Sequence, residues 1–345
     1  MSDETDPIDD IRERTLDFLR SLGATQEELD APGMDPSALA ARLTMLPTRD
    51  TISIRELARR ADADLDDVMA IRLALGHPAT DPDAIVAGDD DVEMFRGLAA
   101  ASAFFGPAAI HDIARVIGVS ATRIADALIS TFLVNITRQH LDDPETDLVM
   151  AQANAAAAQF MPLLRQAMDL SVRRHIIDNG RATDASEGDF ETQELAVGFI
   201  DLVGSTRLTR TLSFEDAGRL FRAFDEATTS TIVGNGGRVV KLIGDEVMFA
   251  APDLDTAVDI ATSIRAALGG ISAMPPIRGG IAHGPALLRD GDVYGDIVNV
   301  AARLAKAAGE SVVLLADPDR RLDVGDAVEL TDLPGIDEPV SARRF

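Results

Sequence analysis

Residues 195–203 read LAVGFIDLV, an apolar run interrupted by a single carboxylate, Asp201. A short β-rich run of this kind reads as a buried strand, and a carboxylate near its end is costly unless it meets a cation or a hydrogen-bond donor. The pattern downstream supports that reading. RLTRTLSFEDAGRLFRAFDEATTSTIV (207–233) has helical spacing, and RVVKLIGDEVMFAA (238–251) reads as two strands around a Gly-Asp turn. LDTAVDIATSIRAALGG (254–270) is a helix, and IRGGIAHGPALLRDGDVYG (277–295) a strand with a hairpin-like return. DIVNVAARLAKAAG (296–309) is another helix and SVVLLADP (311–318) another strand. The order βαββαβ predicts an α+β domain with a ferredoxin-like split βαβ sheet and its helices on one face.

Upstream the text changes character. From Pro7 to about Gly180 it is rich in Ala, Leu, Arg and Asp at helical spacing, which predicts an all-α domain. Turn signals divide it at Gly33, 75–83, 88–91, Gly106-Pro107 and 141–147. Residues 148–180 predict one long connecting helix with Pro162 as a kink and Gly180 as its cap. The polar, acidic segment 181–194 reads as a linker. The expected organisation is therefore a helical domain over 1–180, a linker over 181–194 and a second domain over 195–345.

A formal net charge of −26 opposes binding to nucleic acid and to anionic membrane surfaces. Cysteine is absent, which excludes disulfides, thiolate catalysis and cysteine-held metals, and fits a cytoplasmic protein. The N-terminus, MSDETDPIDD, is acidic where a secretory signal would be basic and then apolar. The longest apolar run, around LAAASAFFGPAAI, is too short to span a bilayer, so no membrane span is expected.

The candidate site residues follow from position and chemistry. Asp245 sits in the turn of the hairpin that neighbours the strand of Asp201, so two carboxylates converge at one end of the sheet, where they suit Mg or Mn. Taken alone, Asp201 also reads as a helix N-cap and Asp245 as a turn residue. Two cations held there can activate a hydroxyl and clamp a leaving phosphate. Backbone N–H groups around Val203, Gly204, Ser205 and Thr206, at the start of a helix, can face an anion. Asn299 and Arg303 lie four apart on one helix face, and the guanidinium matches phosphate oxygens.

FIDLVGST (199–206), KLIGDEVMF (241–249) and DVYGDIVNVAAR (292–303) resemble, in order, the signature motifs of class III adenylyl cyclases. The resemblance covers about Leu195 to the C-terminus. It implies ATP as substrate, cyclic AMP and pyrophosphate as products, and two Mg or Mn ions per site. It also implies a homodimer whose sites are shared between subunits. Residue by residue it assigns metal positions to Asp201, Ile200 and Asp245, adenine recognition to Lys241 and Asp292, ribose orientation to Asn299 and transition-state stabilisation to Arg303. An ammonium and a carboxylate suit adenine's acceptor at N1 and donor at N6, whereas guanine reverses both. Many relatives carry a triphosphate-binding Lys where Pro334 stands. His283 reads as a strand-end histidine that the chemistry does not require.

The helical half resembles the regulatory domains of some actinobacterial class III cyclases, implying autoinhibition and, in some cases, a response to pH through His77, His111, His140 or His175. Segments 52–76 and 109–129 each read as a helix-turn-helix, which keeps open an alternative: a DNA-binding regulator with a nucleotide-sensing cyclase-like domain.

Overall fold

The computed structural model describes residues 7–46, 48–140, 143–180, 192–310, 312–316, 323–331, 333 and 339–345. They divide into two compact units, Met1–Asp184 and Ala185–Phe345.

In the first unit, α1 (Pro7–Ser21), α2 (Gln26–Leu29) and α3 (Pro36–Met45) pack with α8 (Thr146–Ala158) around Leu19, Leu29, Leu39 and Ala151. Local chemistry fixes their starts: Thr25 and Glu28 form a capping box, and Asp35 caps α3. A second core joins α4 (Ile54–Ala61), α5 (Leu65–Ala74), α6 (Asp89–Phe105) and the first turns of α7 (Pro107–Asn135) through Leu57, Val68, Ile71, Phe95, Ile110 and Ala114. Ser53 caps α4, Asp62 ends it in a left-handed conformation and Asp64 caps α5, so 52–76 does form two helices around a tight turn.

Four expectations for this half need correction. It is not purely helical, because β1 (Ile52–Ser53) pairs antiparallel with β2 (Ile85–Ala87). Segment 109–129 holds no turn and lies within the continuous helix α7. Gly118 is there for close approach: a Cβ on it would stand 2.5 Å from the Ala74 carbonyl oxygen. The expected long helix over 148–180 is two helices, α8 and α9 (Met161–Gly180). Pro162 has no N–H to bond back to Ala158, and the chain closes α8 with i→i−3 bonds from Gln159 and Phe160 instead. Finally, one helical stretch among the described residues, Pro107–Gln139, is long and apolar enough to cross a bilayer by length and composition. Scanning for unbroken apolar runs missed it because scattered polar residues interrupt it.

The second unit begins with β3 (Thr192–Leu202), α10 (Ser205–Thr209), α11 (Phe214–Gly234), β4 (Arg238–Ile243) and β5 (Glu246–Ala251). It continues with α12 (Leu254–Gly269), β6 (Ile277–Arg289), β7 (Asp292–Tyr294) and α13 (Asp296–Ala307), and closes with β8 (Val313–Ala316), β9 (Asp326–Leu330) and β10 (Val340–Arg344). The sheet order is β4-β5-β3-β6-β8-β10-β9, with β7 paired to β6. The expected linker is shortened, since Thr192, Gln193 and Glu194 pair with Leu287, Ala286 and Pro285 through main-chain bonds indifferent to polar side chains. Residues 181–191 lie outside the described residues. The expected helix over 207–233 is broken, and Ser213 caps a fresh start at Phe214.

α11 and α12, the helices of the βαββαβ core, share one face as expected, but α13 lies on the other. Phe224, Ile232 and the apolar stripe of α12 cover Ala196, Ile200 and Phe249. On the opposite face α13 covers Val197, Phe199 and Met248 with Ile297, Ala301 and Leu304. β3 is thus buried on both sides, which is why LAVGFI is continuously apolar rather than alternating.

The seat of α13 is a glycine. A Cβ at Gly280 would come within 2.2 Å of the Ala301 carbonyl oxygen and 2.3 Å of the Ala305 nitrogen, so the helix rests directly on the strand. Gly280→Val should therefore lower stability by about 3 kcal/mol through overpacking. Gly97→Ala, in α6 with open space around it, should raise stability by about 0.5–1 kcal/mol. Thermal denaturation followed by circular dichroism reads both.

Candidate active site

Asp201 stands one residue from the end of β3, directly across from Glu246 on β5 and Arg278 on β6. Strand alternation puts it on the face of Val197 and Phe199, the face that α13 covers. Arg278 donates to Asp201 Oδ2 from Nε at 2.8 Å and from Nη2 at 2.6 Å. Burial nevertheless raises the Asp201 pKa; Arg278 pulls it down and the neighbouring Asp245 pushes it up. Glu246 is likewise raised, by burial first and then by Asp201, with Lys306 opposing.

Asp245 occupies the tip of the β4–β5 hairpin, just after Gly244 in the left-handed region at φ 66°. Its main-chain oxygen accepts from the Leu202 N–H at 3.2 Å, tying the hairpin tip to the end of β3. The Ser205 hydroxyl donates to Asp245 Oδ2. Asp201 and Asp245 are therefore brought together as the sequence predicted.

These residues fit a hard divalent cation. The donors are oxygens, and the mutual repulsion of the two carboxylates is relieved by positive charge between them. Ile200 has only its main-chain carbonyl to offer. No group of three or more His, Cys, Asp or Glu side chains suited to a metal occurs among the described residues. A cation here would complete its shell from water and from substrate oxygens, as Mg commonly does.

The anion cradle over 203–206 needs trimming. The Val203 N–H is spent on the Pro276 carbonyl at 2.8 Å, because the chain leaving β3 runs beside the entry to β6. Ser205 is engaged with Asp245 rather than serving as a helix cap. Gly204, at φ 77°, turns the chain into the five-residue α10, and the Thr206 side chain lies outside the described residues.

Lys241 and Asp292, 51 residues apart, meet at 2.5 Å between Nζ and Oδ2. Burial pushes the Asp292 carboxyl up, but the Lys241 hydrogen bond, the Val293 N–H and the charges of Lys241 and Arg238 outweigh it, and the net shift is downward. Asn299 and Arg303 lie one turn apart on α13, with Asn299 exposed. No hydrogen bond or ion pair joins the Asp201–Asp245 group to the Lys241–Asp292 pair among the described residues.

Sequence reading missed Arg278 and Glu246. Arg278 was detectable as a lone cation entering the strand IRGGIA, where a charge needs a partner. His283 lies on β6 opposite Ala196, with Nδ1 3.8 Å from Glu194 Oε2, as a strand histidine. Pro334 lies outside the described residues.

The chain is 32% identical over 289 residues to an adenylate cyclase of Streptomyces coelicolor, spanning 82% of this chain and 74% of that one. It is 30% identical over 333 residues to a pH-sensitive adenylate cyclase of Mycobacterium tuberculosis, spanning 92% of this chain and 81% of that one. The chain belongs to the class III adenylate cyclase family. Because the second unit begins only at Ala185, a match over 289 residues extends into the helical unit as well. No family model matches the chain. Among solved structures, the adenylyl cyclase CyaB from P. aeruginosa is 23% identical, with a TM-score of 0.40 over 44% of this chain and 93% of that one.

The Lys241–Asp292 pair yields a stability prediction with a definite sign. Asp292 is depressed in the folded protein, so its contribution is complete above its unfolded value and is lost as pH falls through the folded one. Both side chains are about a third exposed, at 34% and 28%, which limits the pair to about 1 kcal/mol. Lys241→Met should thus destabilise by about 1 kcal/mol at neutral pH, and in denaturant titrations the difference from wild type should begin to shrink only as pH falls below about 4, vanishing once Asp292 is protonated in the folded protein as well.

Proposed function

We propose that this member of the family is a cytoplasmic, homodimeric adenylate cyclase that converts ATP to 3′,5′-cyclic AMP and pyrophosphate on a ferredoxin-like βαββαβ core. The observation that carries this reading is the meeting of Lys241 with Asp292 on the same domain that gathers Asp201 and Asp245. In the reaction the ribose 3′-oxygen bonds to the α-phosphorus as the bond to the β-phosphate oxygen breaks, and the hydroxyl proton is lost. Two Mg or Mn ions, held by Asp201, Asp245 and the Ile200 carbonyl, would lower the cost of that proton loss and of the charge on the leaving pyrophosphate.

The protein's own side chains do the rest. Lys241 donates to adenine N1 and Asp292 accepts from N6. Asn299 orients the ribose, and Arg303 meets the charge that develops on the α-phosphoryl group. Gly204 and Ser205 keep the turn after β3 close to Asp245, beside the phosphates. In a dimer with composite sites, the aspartates come from one subunit and Lys241, Asp292, Asn299 and Arg303 from the other.

The DNA-binding alternative draws less support. Only 52–76 keeps its turn, and Arg55, Arg59 and Arg60 on α4 are ion-paired with Asp83, Glu56 and Asp89. Only the first turns of α7 are seated in the core, by Ile110, Ala114 and Gly118, while Val119, Leu128, Ile129, Leu133 and Val134 farther along are exposed.

We further propose that the helical unit restrains the catalytic one and that acid relieves the restraint. His77 is held below its ordinary pKa, by burial first and by Arg72 second, with Asp91 opposing. Protonation therefore favours any arrangement that exposes it, so a fall in pH shifts the population that way.

Three measurements test these proposals. Full-length protein supplied with ATP and Mn or Mg should form cyclic AMP, and Asp201→Ala, Asp245→Ala and Arg303→Ala should each lower turnover at least ~100-fold. Mixing the Asp201→Ala and Arg303→Ala proteins should restore activity; failure after proven subunit exchange would remove the composite site. A fragment beginning at Arg181 should be more active than the full chain near neutrality, with the gap closing as pH falls below about 6.5. Identical pH profiles for both would remove the regulatory role.

A further inference from the structure

The three-residue strand β7 is the weakest-supported piece of the base-recognition apparatus. Among the described residues it pairs only with β6, through Leu287↔Tyr294, Leu288↔Val293 and Arg289↔Asp292. A ribbon of that length is not stable by its own main-chain bonds. The turn that makes it, Asp290-Gly291, has both residues in the left-handed region, at φ 54° and 79°, the geometry of a type I′ hairpin. β7 nonetheless contacts β4, the edge strand, although β5 and β3 separate β4 from β6 in the sheet. The hairpin therefore reaches back across the sheet, and something must hold it there.

Two side chains of β4 reach it. Lys241 bonds the Asp292 carboxylate, and Arg238, half-buried at the start of β4, donates from Nη1 to the Gly291 carbonyl at 3.2 Å. The two contacts differ in what happens when a base arrives. Lys241 and Asp292 have to direct donors and acceptors at adenine as well as at each other, whereas the Arg238 contact is to the main chain alone and can persist. The charge of Arg238 also acts on Asp292, and Asp292 acts back on it.

We propose that Arg238 is a positioning residue for base recognition, clamping the Asp290-Gly291 turn to β4 so that the Asp292 carboxylate stays beside Lys241 while both read the base. The inference rests on Lys241 and Asp292 as the adenine-recognising pair. It assigns Arg238 no contact with substrate. Losing the clamp lets Asp292 wander, so binding and selectivity suffer before the chemical step does.

The test uses full-length Arg238→Ala and Arg238→Lys proteins. Arg238→Ala should raise KM for ATP about tenfold, the worth of one charge-assisted hydrogen bond, with kcat within about threefold of wild type. The preference for ATP over GTP should shrink. Amides of residues 290–294 should exchange hydrogen faster, while those of β8 keep their wild-type rates. Arg238→Lys should recover part of the loss, because an ammonium keeps the charge near Asp292 but not the planar fork. Wild-type KM, selectivity and turn exchange in Arg238→Ala would overturn the inference. So would faster exchange throughout the second unit, which would mark an ordinary structural residue. If wild-type protein makes no cyclic AMP, the adenylate cyclase reading falls and base recognition with it, while hydrogen exchange still decides whether Arg238 clamps the turn.

Discussion

A carboxylate at the end of a strand buried on both faces is the constraint around which the second unit is arranged. β3 is fully covered from Ala196 to Ile200, by α11 and α12 on one side and α13 on the other. Asp201 sits one residue beyond that dry stretch, where burial already raises its pKa. It is supported by Arg278 from the neighbouring strand and crowded by Asp245 from the hairpin on the other side. Such an arrangement is poor as a stability device, since a buried ion pair repays its desolvation only in excellent geometry. It is well suited to attracting a cation whose charge the two carboxylates share.

The same strand determines where the remaining site residues stand. α13 can lie on β6 only because Gly280 offers no side chain, and that contact fixes the height of Asn299 and Arg303 above the sheet. The β4–β5 hairpin contributes residues at two levels, Asp245 at its tip and Lys241 three rungs back on β4, opposite Met248. The charged groups of the site thus inherit their positions from main-chain pairing and close packing. Loops contribute chiefly the hairpin tips at Asp245 and Asp290-Gly291.

Much of this was legible in the chain because the local signals were strong. Continuous apolarity in 195–200 announced a buried strand, Gly-Asp and Asp-Gly marked the hairpin turns, and helical spacing exposed α12 and α13. Errors arose where a local signal has two physical meanings. Gly118 resembles a turn but permits two helices to touch, and Pro162 resembles a kink but starts a new helix. β9 and β10, DAVEL and VSARR, were not anticipated because their short, charged sequences carry little strand preference, and they exist by pairing with β8 and each other.

The sequence by itself determined the residue types the chemistry requires, their order along the chain and the elements that carry them. It did so because a buried carboxylate, a Lys and an Asp suited to a base edge, and an Asn and Arg on one helix face each leave a mark within a few residues. Only the tertiary structure decided which of them meet. It brought Lys241 to Asp292 across 51 residues, set Arg278 against Asp201, and spent the Val203 N–H on Pro276 rather than on an anion. Those outcomes depend on strand order and register, which arise from long-range packing of both sheet faces and are written in no local stretch of the chain.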